Sequence, residues 1–202
     1  MTPYERCLIP LPAHTSWDGK PFSFGGEVPC YVKSLPDAHT STLLEELWYN
    51  FTMNGSTLRF RERPGIDDWQ MEIGNGTAPD LPDGEDYALS VTENGVGITG
   101  GSREGMLRGL FTLMQLIRAN DLRPGQESLY IPGTSITDHP ALKFRCLHLC
   151  VFPETTLPFL HKIVRLAGFL KFSHIVLEFW GMLRYDCLAE LSWPRAYTKN
   201  QI

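Results

Sequence analysis

The sequence has no apolar run near 20 residues, no excess of basic residues and no closely spaced set of cysteines. Without such a run, a transmembrane helix is not expected. The 202 residues carry 18 Lys and Arg against 23 Asp and Glu, a formal net charge of -5. That balance argues against nucleic acid or an anionic membrane surface as a partner. The five cysteines are widely spaced and odd in number, so they indicate no disulfide framework.

The opening residues, MTPYERCLIPLP, also lack the basic start and apolar core of a signal peptide. Two alternatives follow: the protein is cytoplasmic, or it is periplasmic or secreted and its leader has been removed. The sequence does not decide between these compartments. Hydrophobic residues make up 43% of the chain and charged residues 20%, which is ordinary for a soluble globular protein. A chain of this length forms one domain or two small ones, each with a core.

The clearest pattern lies in residues 85–117. Residues 87–92 alternate apolar and polar, Asn94-Gly95 is a favourable hairpin turn, and the alternation resumes over 96–98. Ser102 is a plausible N-cap for a following helix. Its apolar residues recur at helical spacing: Met106, Leu107, Leu110, Phe111, Leu113, Met114 and Ile117. This pattern predicts a sheet with a helix packed on it.

The remainder of the first 130 residues is consistent with the same layer. The stretch 5–12 resembles a lead-in strand, and Thr42 and Glu45 have the spacing of a capping box that begins a first helix. Residues 57–62 and 69–73 alternate as strands. We therefore predict a small α+β domain over residues 1–130, in which helices cover one face of a sheet.

The pattern changes in residues 131–202. After a short edge strand at 130–132, residues 144–152 are nearly all apolar, as in a strand covered on both faces. Thr155 or Thr156 caps the next helix, with Pro158 in its first turn, and 174–180 is a second buried-type strand. Strand, helix and strand predict a parallel βαβ unit. An eight-stranded (β/α)8 barrel needs about 250 residues, so residues 131–202 are expected to be the start of a truncated barrel, whose exposed strands favour self-association.

These motifs together resemble family 20 glycoside hydrolases, the β-N-acetylhexosaminidases. The resemblance covers residues 85–202 and is specific in order and spacing. It rests on the following residues: Tyr87, Leu89, Val91, Gly95, Val96, Ile98, Gly105, Gly109, Leu110, Thr112, Leu113, Gln115, Leu116, Ile131-Pro132, Ile136, Asp138, Pro140, residues 145–149 and residues 196–199. It implies an overall α/β class, in which a support domain is followed by a TIM barrel.

The resemblance also implies a retaining hydrolysis in which the acetamido oxygen of the sugar attacks the anomeric carbon. An Asp orients that group and a Glu protonates the leaving oxygen. That Asp-Glu pair follows the fourth barrel strand in the family, beyond Ile202, so no catalytic residue is expected in this chain. Two further family positions, an Asp and an Arg after the first strand, are Cys150 and Pro153 here. A His and an Asp after the second strand are Glu178 and Gly181, which indicates a divergent branch.

Glu178 is the strongest candidate for substrate binding, because it interrupts an apolar strand near its carboxyl end, where barrels place their active sites. The alternative is an internal salt bridge packed against aromatic residues. Trp180 is placed to stack on a sugar ring, and Arg184 and Tyr185 follow in the same loop. Glu154, in the loop after the first strand, completes the candidate set.

No cofactor and no metal are expected. Cys146, His148 and Cys150 share one strand face, but their Cα atoms span about 13 Å at strand rise, too far for one zinc ion to hold all three. A layer of barrel core is the preferred interpretation of this face. The resulting hypothesis is the amino-terminal part of a glycan hydrolase, inactive alone. The alternative is a non-catalytic carbohydrate-binding or protein-interaction module.

Overall fold

The computed structural model describes residues 4–33, 38–52, 56–66, 68–73, 84–119 and 129–202. The chain divides into two compact units, Met1–Ala141 and Leu142–Ile202. They are called unit 1 and unit 2 below, and each is described by itself. No helix of the described residues combines the length and apolar character that crossing a membrane requires.

Unit 1 contains a seven-stranded sheet in the order β1-β7-β5-β6-β4-β2-β3. Strands β2, β3, β4 and β6 pair in parallel, while β1, β7, β5 and β6 pair antiparallel. Two helices, α1 and α2, pack against each other and on the sheet. The elements are β1 His14–Phe24, β2 Glu27–Val32, α1 Ala38–Thr52, β3 Thr57–Arg61, β4 Trp69–Ile73, β5 Tyr87–Thr92, β6 Gly95–Gly100, α2 Arg103–Ala119 and β7 Leu129–Asp138.

The prediction for residues 85–117 is confirmed. Thr92 pairs with Gly95 at the end of the β5–β6 hairpin, where Gly95 has a φ of 147° that suits glycine. The Ser102 hydroxyl oxygen accepts hydrogen bonds from the backbone N–H groups of Glu104 (3.1 Å) and Gly105 (3.3 Å), so Ser102 caps α2. The apolar face of α2 is buried except for half-buried Leu107.

Three other local predictions are wrong. Residues 5–12 begin with a 3-10 turn at Glu5–Cys7, and the strand that enters the sheet is β1, whose polar, glycine-containing sequence hides its role. The first helix begins at least as early as Ala38, and the Thr42 hydroxyl donates to the Ala38 carbonyl instead of capping. The predicted edge strand at 130–132 is part of β7, which lies between β1 and β5.

The position of β7 also bears on the division of the chain. The sequence-based division between residues 130 and 131 falls inside β7, whose pairing with β1 and β5 keeps the whole strand in unit 1. Unit 2 accordingly begins at Leu142. Pairings between residues distant in sequence decide this assignment, and local apolar periodicity does not contain them.

Unit 2 contains a two-stranded parallel sheet, β8 (Cys146–Val151) and β9 (His174–Phe179), joined by helix α3 (Leu157–Phe169). This is the expected βαβ unit. Thr156 caps α3 by accepting from the Phe159 N–H, with a proline in the first turn. Val151, Leu160 and Met182 form the buried core of the unit. Both strands keep partly exposed side chains, so unit 2 by itself does not cover them on both faces.

Candidate functional site

The candidate site lies at the carboxyl ends of β8 and β9. Because the two strands are parallel, their carboxyl ends lie at the same edge, and Cys150 pairs directly with Glu178. The chain then leaves β8 at Phe152 and β9 at Trp180. The pairing register thus places side chains from two distant parts of the sequence next to each other.

Glu178 is the centre of this cluster. Its Oε2 atom lies 2.8 Å from His148 Nε2 and accepts a hydrogen bond from Cys150 Sγ at 3.3 Å. The hydrogen bond to Glu178 is the main reason that the pKa of the Cys150 thiol is raised; partial desolvation and the carboxylate charge act in the same direction, and the Trp180 side chain opposes them. The carboxylate therefore holds Cys150 as a neutral thiol that donates a hydrogen bond to Glu178.

Two aromatic rings flank the cluster. The rings of Phe152 and Trp180 are stacked, with centroids 6.3 Å apart and planes inclined by 25°. Both are exposed, at 44% and 62% respectively. Exposed stacked aromatic rings beside a carboxylate provide an apolar surface with a hydrogen-bond acceptor at its edge, which is the kind of surface that a sugar ring can occupy.

The remaining predicted site residues lie in the flanking loops. Arg184 and Tyr185 follow β9, and the Arg184 backbone N–H donates to the Tyr197 carbonyl at 2.8 Å, which fixes the start of this loop. Glu154 lies in the loop after β8, and all three side chains are exposed. The structure thus brings Glu178 and Trp180 into one cluster, whereas Arg184, Tyr185 and Glu154 are exposed residues of the loops that follow β9 and β8.

Sequence reasoning missed that His148 and Cys150 both contact Glu178. The sequence predicts that both residues belong to a layer of barrel core, yet unit 2 by itself leaves both exposed. The alternation of β8 shows that they share a face, but the register with β9 is needed to show that Glu178 shares it too. Cys146 is the third residue of that face and does not join the cluster.

Arg145, the residue before β8, has a structural role. Its Nε donates to the Lys171 carbonyl at 2.9 Å, and its backbone N–H donates to the Ser173 hydroxyl oxygen at 2.9 Å. Lys171 has a φ of 63° where the chain turns from α3 towards β9. The guanidinium therefore ties the start of β8 to the end of α3.

Unit 1 has a separate open cavity with a volume of about 410 Å³, formed by β1, β7 and the residues before β1. Its lining consists of aromatic, proline and glycine residues, among them Tyr4, Trp17 and Tyr130. Trp17 Nε1 donates to Glu5 at 3.1 Å, so its polar edge is already engaged. The titratable cluster of the candidate site, by contrast, lies in unit 2.

A sheet-and-helix unit followed by a βαβ unit is the order of elements that the resemblance to family 20 glycoside hydrolases implies. The profile described as Glycosyl hydrolase family 20, domain 2, matches residues 5–139. The chain therefore belongs to glycosyl hydrolase family 20, and is β-N-acetylhexosaminidase-like. No curated protein matches the sequence.

Solved structures agree in fold. A family 20 β-N-acetylhexosaminidase from Streptomyces coelicolor A3(2) is 21% identical, with a TM-score of 0.76 over 99% of this chain and 43% of that one. A family 20 exo-β-N-acetylglucosaminidase from Vibrio harveyi, solved with N-acetylglucosamine, is 17% identical, with a TM-score of 0.78 over 98% of this chain and 33% of that one. The present chain thus spans well under half the length of either structure.

Proposed function

We propose that this chain is the amino-terminal part of a glycoside hydrolase that removes terminal N-acetylhexosamine or related residues from glycans. Unit 1 acts as the support domain, and unit 2 as the first βαβ unit of a (β/α)8 barrel. The fold match that extends over 98% and 99% of this chain, through unit 2, carries the proposal. The mechanism is substrate-assisted and retaining, with the Asp-Glu pair supplied by a later barrel strand outside residues 1–202.

In this proposal Glu178 accepts hydrogen bonds from sugar hydroxyls and Trp180 stacks on the sugar ring. Arg184, Tyr185 and Glu154 contact the substrate from the flanking loops. The support comes from the position of these five residues at or after the carboxyl ends of two parallel strands, where barrel enzymes bind substrate. The exposed stack of Phe152 and Trp180 supplies the apolar part of the surface.

A chromogenic N-acetylhexosaminide assay tests the proposal on two lengths of the protein. The 202-residue chain is expected to give no turnover above buffer, because it lacks the acid and the orienting carboxylate. The protein extended through the complete barrel is expected to hydrolyse the substrate, and Trp180→Ala in it to lower kcat/KM. Turnover by the 202-residue chain contradicts the proposal that the catalytic Asp-Glu pair lies outside it. An inactive extended protein contradicts the enzymatic function.

The exposed Phe152–Trp180 stack also favours a second function, a non-catalytic carbohydrate-binding module. The 202-residue chain itself then binds N-acetylglucosamine or chitobiose, measured by intrinsic tryptophan fluorescence, and Trp180→Ala abolishes the response. Phe144→Ala is the matched control, because Phe144 is an exposed aromatic at the opposite end of β8. An Asp-Glu pair at the fourth-strand position of the downstream reading frame favours the enzyme, and its absence favours the module.

A further inference from the structure

We propose that His148, Cys150 and Glu178 form a zinc site at the carboxyl edge of β8 and β9. One ligand atom from each of the three side chains lies within 4.8 Å of the other two. An imidazole nitrogen, a thiolate sulfur and a carboxylate oxygen are the ligand types that Zn²⁺ binds. This site shares Glu178 with the glycan chemistry proposed above, but it rests on the separations among three ligand atoms and is tested by metal binding alone.

Two of the three ligand-atom separations lie close to those of a tetrahedral site, and the ligand atoms of His148 and Cys150 lie within 4.8 Å of each other. Zn²⁺ binds sulfur at about 2.3 Å and nitrogen or oxygen at about 2.0–2.2 Å, which separates neighbouring ligand atoms by about 3.4–3.6 Å. Here the Cys150–Glu178 separation is 3.3 Å and the His148–Glu178 separation is 2.8 Å. Small rotations of exposed side chains therefore suffice to admit the ion.

The backbone holds the three ligands together in advance. His148 and Cys150 are two residues apart on one strand and so project from the same face, while Glu178 is directly opposite Cys150 on the parallel neighbour. Cys146 is excluded, because its Cα atom lies about 13 Å from that of Cys150. The third ligand is therefore Glu178 and not Cys146. The long span along β8, which on the sequence alone argued against a metal site, does not apply to this set of ligands.

Three protein ligands leave one tetrahedral position open. The His148 and Glu178 side chains are 57% and 40% exposed, so solvent reaches the ligand atoms and a water molecule takes that position. Zinc sites with three protein ligands and a water differ in this way from closed four-ligand structural sites. On binding, the Cys150 thiol releases its proton to solvent, and the ion replaces the two contacts that now meet at Glu178 Oε2.

Binding of Zn²⁺ and Co²⁺ to the untagged, reduced 202-residue chain tests the site. Equilibrium dialysis is expected to give one zinc ion per chain. Substitution with Co²⁺ is expected to produce a near-ultraviolet thiolate-to-cobalt charge-transfer band and the visible bands of a tetrahedral ion. Cys150→Ser is expected to abolish the charge-transfer band. His148→Ala and Glu178→Gln are each expected to weaken zinc binding at least about tenfold, because changes to more distant metal-site residues already cost 10–100-fold.

Cys187→Ser is the matched control, since Cys187 is also an exposed free cysteine but lies outside the cluster. It is expected to keep both the stoichiometry and the cobalt spectrum. Circular dichroism of each variant separates lost folding from lost ligation. The site is disproved if the folded wild-type chain binds no zinc, or if Cys150→Ser retains the band while Cys187→Ser loses it.

Discussion

Gly105→Ala is expected to lower the free energy of unfolding by about 1–3 kcal/mol, the usual cost of overpacking. A Cβ atom at Gly105 would overlap the backbone carbonyl oxygen of Asp86, immediately before β5. Neither group can move easily, because the Gly105 N–H donates to the Gly84 carbonyl and the Gly101 N–H donates to the Asp86 carbonyl. The same close packing recurs one turn later, where a Cβ at Gly109 would lie 2.6 Å from Ile98 Cγ2.

The sign of this effect is diagnostic. In a helix without steric conflict, a Gly→Ala substitution stabilises the helix by about 0.8–1 kcal/mol. A lower free energy of unfolding for Gly105→Ala therefore shows that the steric conflict with the sheet outweighs helix propensity. Urea unfolding followed by circular dichroism gives the value. Gly84→Ala is the control, since its Cβ would meet Ser102 Oγ at an ordinary 3.5 Å. A Gly105→Ala variant as stable as wild type would contradict the close packing of α2 on β5.

Tyr87→Phe is expected to destabilise the chain by about 1–3 kcal/mol at pH 7, the cost of leaving buried polar partners unsatisfied. Tyr87 is 1% exposed. Its hydroxyl lies 2.6 Å from Thr112 Oγ1 of α2 and donates to Asp138 Oδ2 of β7 at 2.9 Å. One hydroxyl group therefore joins β5 to the helix above it and to the neighbouring strand.

The same residue gives a pH dependence. Burial, then the charge of Asp138, raises the pKa of Tyr87 well above its ordinary value in the folded chain. In the unfolded chain the phenol loses its proton near pH 10, so above that pH the unfolded state binds fewer protons and stability falls as pH rises. The Tyr87 contribution is thus fully present below about pH 10 and is lost as pH rises through its folded-state pKa.

Urea unfolding at pH 7 and at pH values above 10 measures both effects. The difference in free energy of unfolding between wild type and Tyr87→Phe is expected to become smaller at alkaline pH, because phenylalanine has no proton to lose. Tyr49→Phe is the control, since Tyr49 is 59% exposed and should change stability little at pH 7. If the difference in free energy of unfolding between the two proteins stays the same over this pH range, the loss of stability at alkaline pH does not come from Tyr87.

The family-like motifs of the first 140 residues are explained by packing. Gly105 and Gly109 allow α2 to approach the sheet, and Asp138 receives the Tyr87 hydroxyl and the backbone N–H groups of Ala13 and His139. The Gln115 amide both accepts from and donates to the Ile9 backbone, at 3.0 and 2.8 Å. The sequence showed these residue types and their spacing, but not the partners that give them a role.

The candidate site was predictable only in part. Glu178 stood out as a charge in an apolar strand, and Trp180 stood out as an aromatic beside it. His148 and Cys150 could not be assigned to the same site, because Glu178 lies 28 positions beyond Cys150 and meets them only through the register of β8 with β9.

The sequence by itself determined the local elements with strong periodicity: the β5–β6 hairpin, α2, and the βαβ unit of β8, α3 and β9. Their apolar spacing, turn residues and caps act over a few residues, so they can be recognised without the fold. Only the tertiary structure decided that β1 and β7 join the sheet of unit 1 and that His148 and Cys150 of unit 2 converge on one carboxylate oxygen of Glu178. Both outcomes depend on strand pairing between distant segments, whose register local pattern does not specify.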